Sequence, residues 1–282
     1  MVIFKKAKDI QEYLQQKKNE GRSIGFVPTM GALHAGHISL VQKGLADGML
    51  VVCSIFLNPT QFNDKNDLAK YPVSTDQDIE LLIKAGCDAL FLPGVDDVYP
   101  GGDALAETYD FGYLDTILEG ANRPGHFKGV GQVVARLLHI VTPTALYLGQ
   151  KDYQQCMVIS KLAELLQLGG MSVVICPTNR EDDGVAMSSR NRRLTVPQRV
   201  VAGTIYQCLV SIQSKQDEGN FAVVKKECEE LLAAKGFVPE YVALADARDL
   251  ALLTNYDPAI PMVALIAARI GEIRLIDNCL VN

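Results

Sequence analysis

Long apolar runs and a signal peptide are both missing from the 282-residue sequence. No apolar stretch reaches the roughly 20 residues that a helix needs to cross a bilayer. The N-terminus carries Lys5, Lys6 and Lys8 without the apolar segment that follows the charges of a secretory signal. We therefore expect a cytoplasmic protein with no membrane partner.

Paired cysteines are missing as well. The seven cysteines are widely scattered, and no two of them have the spacing of a zinc or redox motif. Cys53 and Cys176 lie inside apolar runs, where a free cysteine packs as a small apolar residue. We expect all seven to be reduced packing residues, and we expect no metal site built from protein ligands.

The excess of basic residues that is typical of general nucleic-acid-binding proteins is also absent, because the formal net charge is −6. Nucleic acid is therefore not expected as a partner, and an anionic substrate needs a local positive pocket. The composition, 48% hydrophobic and 21% charged, is that of an ordinary globular protein, and the length fits two domains.

A strand, a glycine turn and a helix start are compressed into residues 27–38. The apolar run Ser23–Val27 predicts a buried strand, and apolar residues from Ile38 onward recur at helical spacing. Glycines in the turn let a ligand approach the backbone, and the first amides of a helix attract anions. The turn is thus suited to a phosphate chain.

Two histidines, His34 and His37, lie three residues apart in this turn. Each can donate a hydrogen bond to an oxygen on which negative charge develops. A His-x-Gly-His sequence also occurs by chance, and a single histidine is more often structural than catalytic. The motif therefore needs support from the rest of the chain.

Polar residues follow two further predicted strands. Gln61 comes after Met49–Phe56, and Lys151 comes after Ala145–Leu148, with Gln155 one helical turn beyond it. Ligands of open parallel sheets bind beyond the carboxyl ends of the strands, so these side chains are candidates for substrate binding. A plain turn and a solvated surface lysine are the alternative interpretations.

Hydroxyls and a guanidinium adjoin one another at Ser188, Ser189 and Arg190, on a predicted loop. Such groups suit phosphates, since hydroxyls donate single hydrogen bonds and arginine donates two. The polar stretch Asn179–Gly184 just before them is predicted to be a flexible hinge between domains.

Two other segments are predicted to lack regular structure. Gly94–Gly102 is predicted to be a loop, and Glu119–Val130 is rich in residues that break helices and strands. The second segment contains Arg123 and His126. It is either a moving flap or a surface turn on which these two side chains are solvated.

The pattern as a whole predicts an α/β fold: a Rossmann-like parallel sheet in an N-terminal domain, residues 1–178, and a smaller α+β C-terminal domain, residues 179–282, that closes over the site. The elements predicted for the second domain are two helices, Pro197–Ser214 and Phe221–Lys235, and three strands, Tyr241–Ala245, Met262–Arg269 and Arg274–Ile276.

Six stretches, taken in order, match those of a known enzyme family. They are Pro28–His37, Asn58–Phe62, Leu118–Gly120 with Arg123–Phe127, Gly149–Gln155, Met187–Asn191 and Arg274–Asn278. In order and spacing, over nearly the whole chain, they resemble the pantothenate synthetases, or pantoate–β-alanine ligases, of the nucleotidyltransferase superfamily.

The resemblance implies a reaction in two steps. The carboxylate of pantoate attacks the α-phosphorus of ATP to give pantoyl adenylate and diphosphate, and the amine of β-alanine then displaces AMP to give pantothenate. It also implies Mg²⁺ with the phosphates of ATP, and a homodimer.

Site residues follow from the resemblance, motif by motif. It implies that His37, His34, Lys151 and Arg190 are catalytic, and that Gln61 and Gln155 bind pantoate and β-alanine. The residues implied to bind ATP are Met30, Gly31, Ala32, Leu33, His34, Ala35, Gly36, His37, Gly149, Gln150, Lys151, Asp152, Asn179, Met187, Ser188, Ser189 and Arg190.

Three positions depart from the usual pattern of the family. Asn179 stands where an apolar residue is usual, Gln150 where glutamate is common, and Val73 where arginine is frequent. A contact through the backbone of Asn179 survives the change of side chain. Gln150 lies between the motif positions whose charge matters, so the glutamine weakens the match to the family in detail only.

Two other functions compete with this interpretation. An adenylyl- or cytidylyltransferase of the same superfamily would share the histidine turn, but it would transfer the nucleotide to a phosphate ester and would lack the paired glutamines. A non-catalytic nucleotide-binding module would be expected to have lost Lys151, Arg190 or a histidine, and all of these residues are present.

Overall fold

The computed structural model describes residues 1–61, 68–102, 107–216 and 220–281. The chain divides into two compact units. Unit 1 comprises Met1–Gly149 and Gln155–Pro177, and unit 2 comprises Gln150–Gln154 and Thr178–Asn282. The predicted domain boundary after residue 178 stays a prediction, and five residues of the Gly149–Gln155 motif group with unit 2.

Unit 1 contains a six-stranded sheet in which all strands pair in parallel. The strands are β1 (Val2–Phe4), β2 (Ile24–Thr29), β3 (Leu50–Ile55), β4 (Ala89–Phe91), β5 (Ala145–Gly149) and β6 (Ser172–Cys176), in the spatial order β1-β4-β3-β2-β5-β6. The predicted Rossmann-like parallel sheet is therefore confirmed. Strand β1, which pairs with β4, escaped sequence analysis because it has only three residues.

Helices cover both faces of this sheet. Their bounds are Ala7–Asn19, Ala35–Ala46, Thr75–Lys84, Val95–Val98, Leu118–Asn122, His126–Val141 and Tyr153–Leu165, with one-turn 3-10 helices at Pro59–Gln61 and Gly112–Asp115. Successive strand residues alternate between two buried apolar clusters. Leu50 and Val52 of β3 belong to one, and Val51 and Cys53 to the other. Burial on both sides explains why β3 is apolar apart from Ser54.

Two predictions of irregular structure are wrong. All of residues 119–130 except 123–125 belong to the helices Leu118–Asn122 and His126–Val141, and Gly94–Gly102 contains the short helix Val95–Val98. The breakers Pro124 and Gly125 stand between the two helices, and Gly125 has a left-handed φ of 78°. They separate helices rather than prevent them.

Unit 2 contains an antiparallel sheet. Its strands are β7 (Val238–Asp246), β8 (Leu252–Leu253), β9 (Met262–Ile270) and β10 (Ile273–Val281), in the spatial order β10-β9-β7-β8. The helices are Val196–Val201, Thr204–Ser214 and Phe221–Ala234, with 3-10 turns at Gln150–Asp152 and Ser189–Arg193. The α+β class is confirmed. The helix predicted at Pro197–Ser214 is interrupted at Ala202 and Gly203, and β10 is much longer than predicted.

The cysteines are free and are at least partly buried, as predicted for packing residues. In the described part of the chain, no helix has both the length and the apolar character required to cross a membrane.

Candidate active site

The histidine turn of unit 1 connects Thr29, the last residue of β2, to the helix Ala35–Ala46. The chain reverses through two left-handed residues, Gly31 with φ 85° and Ala32 with φ 49°. His34 caps the helix in an extended conformation, and its carbonyl oxygen accepts from the backbone N–H of His37 at 2.9 Å. The strand end thus leads directly into a helix start, as the sequence predicts.

The structure brings the two histidine rings together, with their centroids 4.0 Å apart. The backbone N–H of His34 donates to Nδ1 of His37 at 3.3 Å. Since Nδ1 accepts this bond, the proton of the neutral ring lies on Nε2. His37 therefore presents an Nε2–H donor, which is the group needed at a phosphate oxygen.

A residue that sequence analysis missed holds this turn in place. The carboxylate of Asp78 accepts from the backbone N–H groups of Ala32 and Leu33, both at 2.8 Å, and from Ser74 Oγ at 3.0 Å. Asp78 is only 1% exposed. Because these two N–H groups are bound to Asp78, they are not available to bind a nucleotide.

A signal for Asp78 was present in the sequence. Asp78 lies four residues before Leu82 in the helix Thr75–Lys84, and both are buried. A carboxylate on the apolar face of an amphipathic helix needs a buried partner, because an unpaired buried charge is very costly.

Gln61 lies at the end of the 3-10 turn that follows β3, and it is partly buried. Its Nε2 donates to Met30 Sδ at 2.7 Å, which brings two of the matched motifs together. The neighbouring Asn58 is 1% exposed, and it accepts from Tyr99 OH at 3.0 Å. Asn58 is therefore buried in support of the turn, whereas Gln61 is partly exposed. Phe62 of the same motif lies outside the described residues.

The segment that contains Arg123 and His126 is not a solvated surface turn. His126 is 7% exposed, and its ring contacts the backbone oxygen of Gln61 at 2.9 Å. Gln155, the other predicted substrate-binding glutamine, is partly buried in the first turn of the helix Tyr153–Leu165.

The lysine turn of unit 2, Gln150–Asp152, is held by the side chain of Asn278. The Nδ2 group of Asn278 donates to the carbonyl oxygens of Gln150 at 2.9 Å and Lys151 at 2.8 Å, and its Oδ1 accepts from Gln150 Nε2 at 3.3 Å. The Lys151 side chain is 17% exposed, and its Nζ lies 3.7 Å from Asp152 Oδ1. Gln150, which stands where glutamate is common in the family, thus has a structural role, because its amide donates to Asn278.

Asp277, the neighbour of Asn278, anchors a second segment of unit 2. Arg180 donates two hydrogen bonds to the Asp277 carboxylate, at 2.5 and 3.0 Å, and stacks on Tyr206. Burial raises the pKa of Asp277, and the hydrogen bonds from Arg180 oppose that shift.

The segment predicted to be a flexible hinge is therefore well anchored. Backbone hydrogen bonds join Asn179 to Met187 at 2.9 Å and Glu181 to Val185 at 2.9 Å, which makes residues 179–187 a tight hairpin. The Arg180–Asp277 ion pair fixes one arm of it. One of the polar side chains that predicted a hinge, that of Arg180, forms this ion pair.

The Ser-Ser-Arg stretch of unit 2 follows that hairpin. Ser188 caps the 3-10 turn Ser189–Arg193, and its Oγ accepts from the backbone N–H of Arg190 at 3.3 Å. Ser189 is buried at 6% exposure, whereas Met187, Ser188 and Arg190 are partly exposed. The predicted loop is thus a short helical turn.

Within the described residues, no group of three or more His, Cys, Asp or Glu side chains is arranged to hold a metal ion.

Comparison with known proteins identifies relatives along the whole chain. The family model described as Pantoate-beta-alanine ligase matches residues 2–280. The chain is 43% identical to the pantothenate synthetase of Phocaeicola vulgatus, over 99% of this chain and 98% of that protein. It is 41% identical to the pantothenate synthetase of Cytophaga hutchinsonii, over 100% of this chain and 99% of that protein.

Solved structures agree with these sequence relatives. The crystal structure of pantothenate synthetase from Thermus thermophilus is similar with a TM-score of 0.91 and 38% identity, covering 99% of each chain. Pantoate-beta-alanine ligase from Francisella tularensis, complexed with "Beta-gamma ATP and Beta-alanine", is similar with a TM-score of 0.82 and 38% identity, covering 99% of this chain and 97% of that one.

Proposed function

This chain belongs to the pantoate–β-alanine ligase family, and we propose that its histidine turn and its lysine turn activate pantoate with ATP. The chain catalyses the ATP-dependent condensation of pantoate with β-alanine. A carboxylate oxygen of pantoate bonds to the α-phosphorus of ATP, and the bond to diphosphate breaks. The neutral amine of β-alanine then attacks the acyl carbon, AMP leaves with the bonding pair, and the nitrogen releases a proton to give pantothenate.

Charge is the main obstacle to the first step, because one anion must attack another. Lys151 and Arg190 supply positive charge, and His34 and His37 supply donors to the phosphate oxygens as negative charge develops. The observation that carries this proposal is the bond from the His34 backbone to Nδ1 of His37, which leaves an N–H donor at Nε2.

The binding residues proposed for ATP are Met30 to His37, Gly149 to Asp152, Asn179 and Met187 to Arg190. Gln61 and Gln155 bind pantoate and β-alanine through their amides, which orient a carboxylate or a hydroxyl without adding charge.

Three further properties belong to the same proposal. Mg²⁺ enters as part of the substrate MgATP, bound through the phosphates. The enzyme is a homodimer, and it acts in the cytoplasm. Density-gradient sedimentation of the purified chain tests the oligomeric state, and a twofold larger mass than that of one chain is the expected result.

The test of the activity is the release of AMP from MgATP, with pantoate and β-alanine supplied separately and together. We expect steady AMP release only when both acids are present, in equal amount to pantothenate. If pantoate has no effect on ATP while a phosphate ester accepts the nucleotide, the chain is a nucleotidyltransferase and the ligase function is overturned.

A further inference from the structure

A chain of hydrogen bonds runs from Arg123 through His126 to the backbone of Gln61. Arg123 Nη1 lies 2.9 Å from His126 Nε2, and His126 Nδ1 lies 2.9 Å from the Gln61 carbonyl oxygen. An arginine can only donate and a carbonyl oxygen can only accept. Therefore Nε2 accepts from Arg123 and Nδ1–H donates to Gln61, which selects a single tautomer of the neutral ring.

The three side chains around these two hydrogen bonds are largely buried. His126 is 7% exposed, and the Arg123 side chain is 23% exposed. The carboxylate of Glu119, whose side chain is 9% exposed, lies 3.8 Å from Arg123 Nη1 and helps to orient the guanidinium. Hydrogen bonds shielded from water in this way hold their partners more strictly than exposed ones.

The helix His126–Val141 also packs closely against the turn that carries Gln61. A Cβ atom added at Gly129 would lie 2.5 Å from the carbonyl oxygen of Thr60 and 2.8 Å from the Cα of Gln61. Asn58 Nδ2 donates to the Gly129 carbonyl oxygen at 3.4 Å. The backbone of the Gln61 turn is therefore seated on this helix, and the first residue of the helix is His126.

We infer that Arg123 and His126 are positioning residues for the substrate carboxylic acids, because they fix the backbone from which the Gln61 amide reaches its ligand. This inference rests on the proposed role of Gln61 in binding pantoate and β-alanine. Neither side chain is required to touch a substrate. Their effect passes through the carbonyl oxygen of Gln61.

Substitutions of His126 separate positioning from general support of the fold. In His126→Ala, the KM for pantoate is expected to rise about tenfold from the loss of one buried hydrogen bond, while the KM for ATP stays within about twofold of wild type. In His126→Asn the amide nitrogen takes the place of Nδ1 and restores most of the pantoate KM. In His126→Gln the amide takes the place of Nε2 and restores little.

The matched control is His139→Ala, which removes an exposed histidine from the last turn of the same helix. It is expected to leave both KM values unchanged. Equal increases in the KM for ATP and for pantoate in His126→Ala, or equal behaviour of the asparagine and glutamine variants, would overturn the inference.

A second measurement does not depend on activity, and it remains available if His126→Ala fails to fold. Nitrogen-15 NMR of the imidazole rings distinguishes the tautomers of the chain's four histidines. We expect His126 to be an Nδ1–H ring in the wild type, and to lose that single tautomer in Arg123→Ala. An Nε2–H ring in the wild type overturns the inference.

Gln61→Asn separates failure of this inference from failure of the proposed function, because it withdraws the amide by one methylene. A raised pantoate KM in Gln61→Asn together with an unchanged one in His126→Ala overturns the positioning role alone. An unchanged pantoate KM in Gln61→Asn overturns the role of Gln61 itself, and with it the effect inferred for His126.

Discussion

The histidine turn of unit 1 and the lysine turn of unit 2 are anchored in opposite ways. The Asp78 carboxylate accepts from two successive backbone N–H groups, those of Ala32 and Leu33. The Asn278 amide donates to two successive carbonyl oxygens, those of Gln150 and Lys151. In each turn, one buried side chain from a distant part of the sequence fixes two peptide groups.

This difference determines what each turn can offer to an anion. In the histidine turn, the N–H groups of Ala32 and Leu33 are bound to Asp78, so we propose that the imidazoles donate to phosphate instead. In the lysine turn, Asn278 binds two carbonyl oxygens, which would repel phosphate, and we propose that Lys151 supplies the positive charge. Ala32 has a left-handed backbone conformation, which costs about 1 kcal/mol or more for a residue with a side chain. The hydrogen bond from its N–H to Asp78 maintains this conformation.

The largest expected effect comes from removing the functional side chain of either turn. His37→Ala or Lys151→Ala should reduce the rate of pantothenate formation about 10³-fold, because each removes stabilisation of charge in the transition state. The free energy of unfolding, from denaturant titration, should stay near that of the wild type. Wild-type turnover in either variant contradicts the mechanism, and unfolding shows that the residue is structural.

Asp78→Asn should have the next largest effect, and mainly on stability. The asparagine keeps the size of the side chain but directs an NH₂ group at a backbone N–H, so we expect the free energy of unfolding to fall by about 2–4 kcal/mol. Asp76→Asn, an exposed position in the same helix, is the control and should unfold like the wild type. Equal stability of the two variants would show that Asp78 does not hold the histidine turn in place.

Asn278→Ala should be milder, because the bonds that it removes are between neutral groups. We expect a loss of about 1–2 kcal/mol in the free energy of unfolding and a decrease of about tenfold in kcat from misplacement of Lys151. Asn278→Asp should be worse than alanine, since it places oxygens opposite two carbonyl oxygens. Asn255→Ala, at an exposed position, is the control. If aspartate is tolerated as well as alanine is, Asn278 does not anchor the turn.

Gln150→Glu should have the smallest effect. It removes the weak 3.3 Å bond from Gln150 Nε2 to Asn278 Oδ1 and leaves both bonds from Asn278 to the backbone. We expect a change in the free energy of unfolding below about 1 kcal/mol and a turnover rate within about threefold of wild type. A larger loss in thermal unfolding and steady-state assays would show that the side chain, and not the backbone, carries the anchoring.

Local sequence predicted the two turns but not what holds them. A strand end, a glycine turn and a helix start are adjacent in sequence, so the positions of His34 and His37 follow from a short pattern. Asp78 is more than 40 residues from the turn that it binds, and no local pattern connects the two.

Contacts with distant segments also explain why β10 was predicted to be shorter than it is. The strand was predicted to end at Ile276, just before the polar pair Asp277 and Asn278, whereas in the structure it continues to Val281. Those two buried polar residues are the anchors of Arg180 and of the lysine turn. Polar residues inside this strand thus indicate bonds to distant segments, and not a loop.

Pantoate-dependent exchange of labelled diphosphate into MgATP, without β-alanine, tests the roles proposed for the two turns, because it measures reversible formation of pantoyl adenylate alone. We predict exchange that requires pantoate in the wild type and that is lost in both His37→Ala and Lys151→Ala. Absence of exchange in a wild-type preparation that makes pantothenate would contradict the adenylate. Undiminished exchange in either variant would contradict the role of its turn.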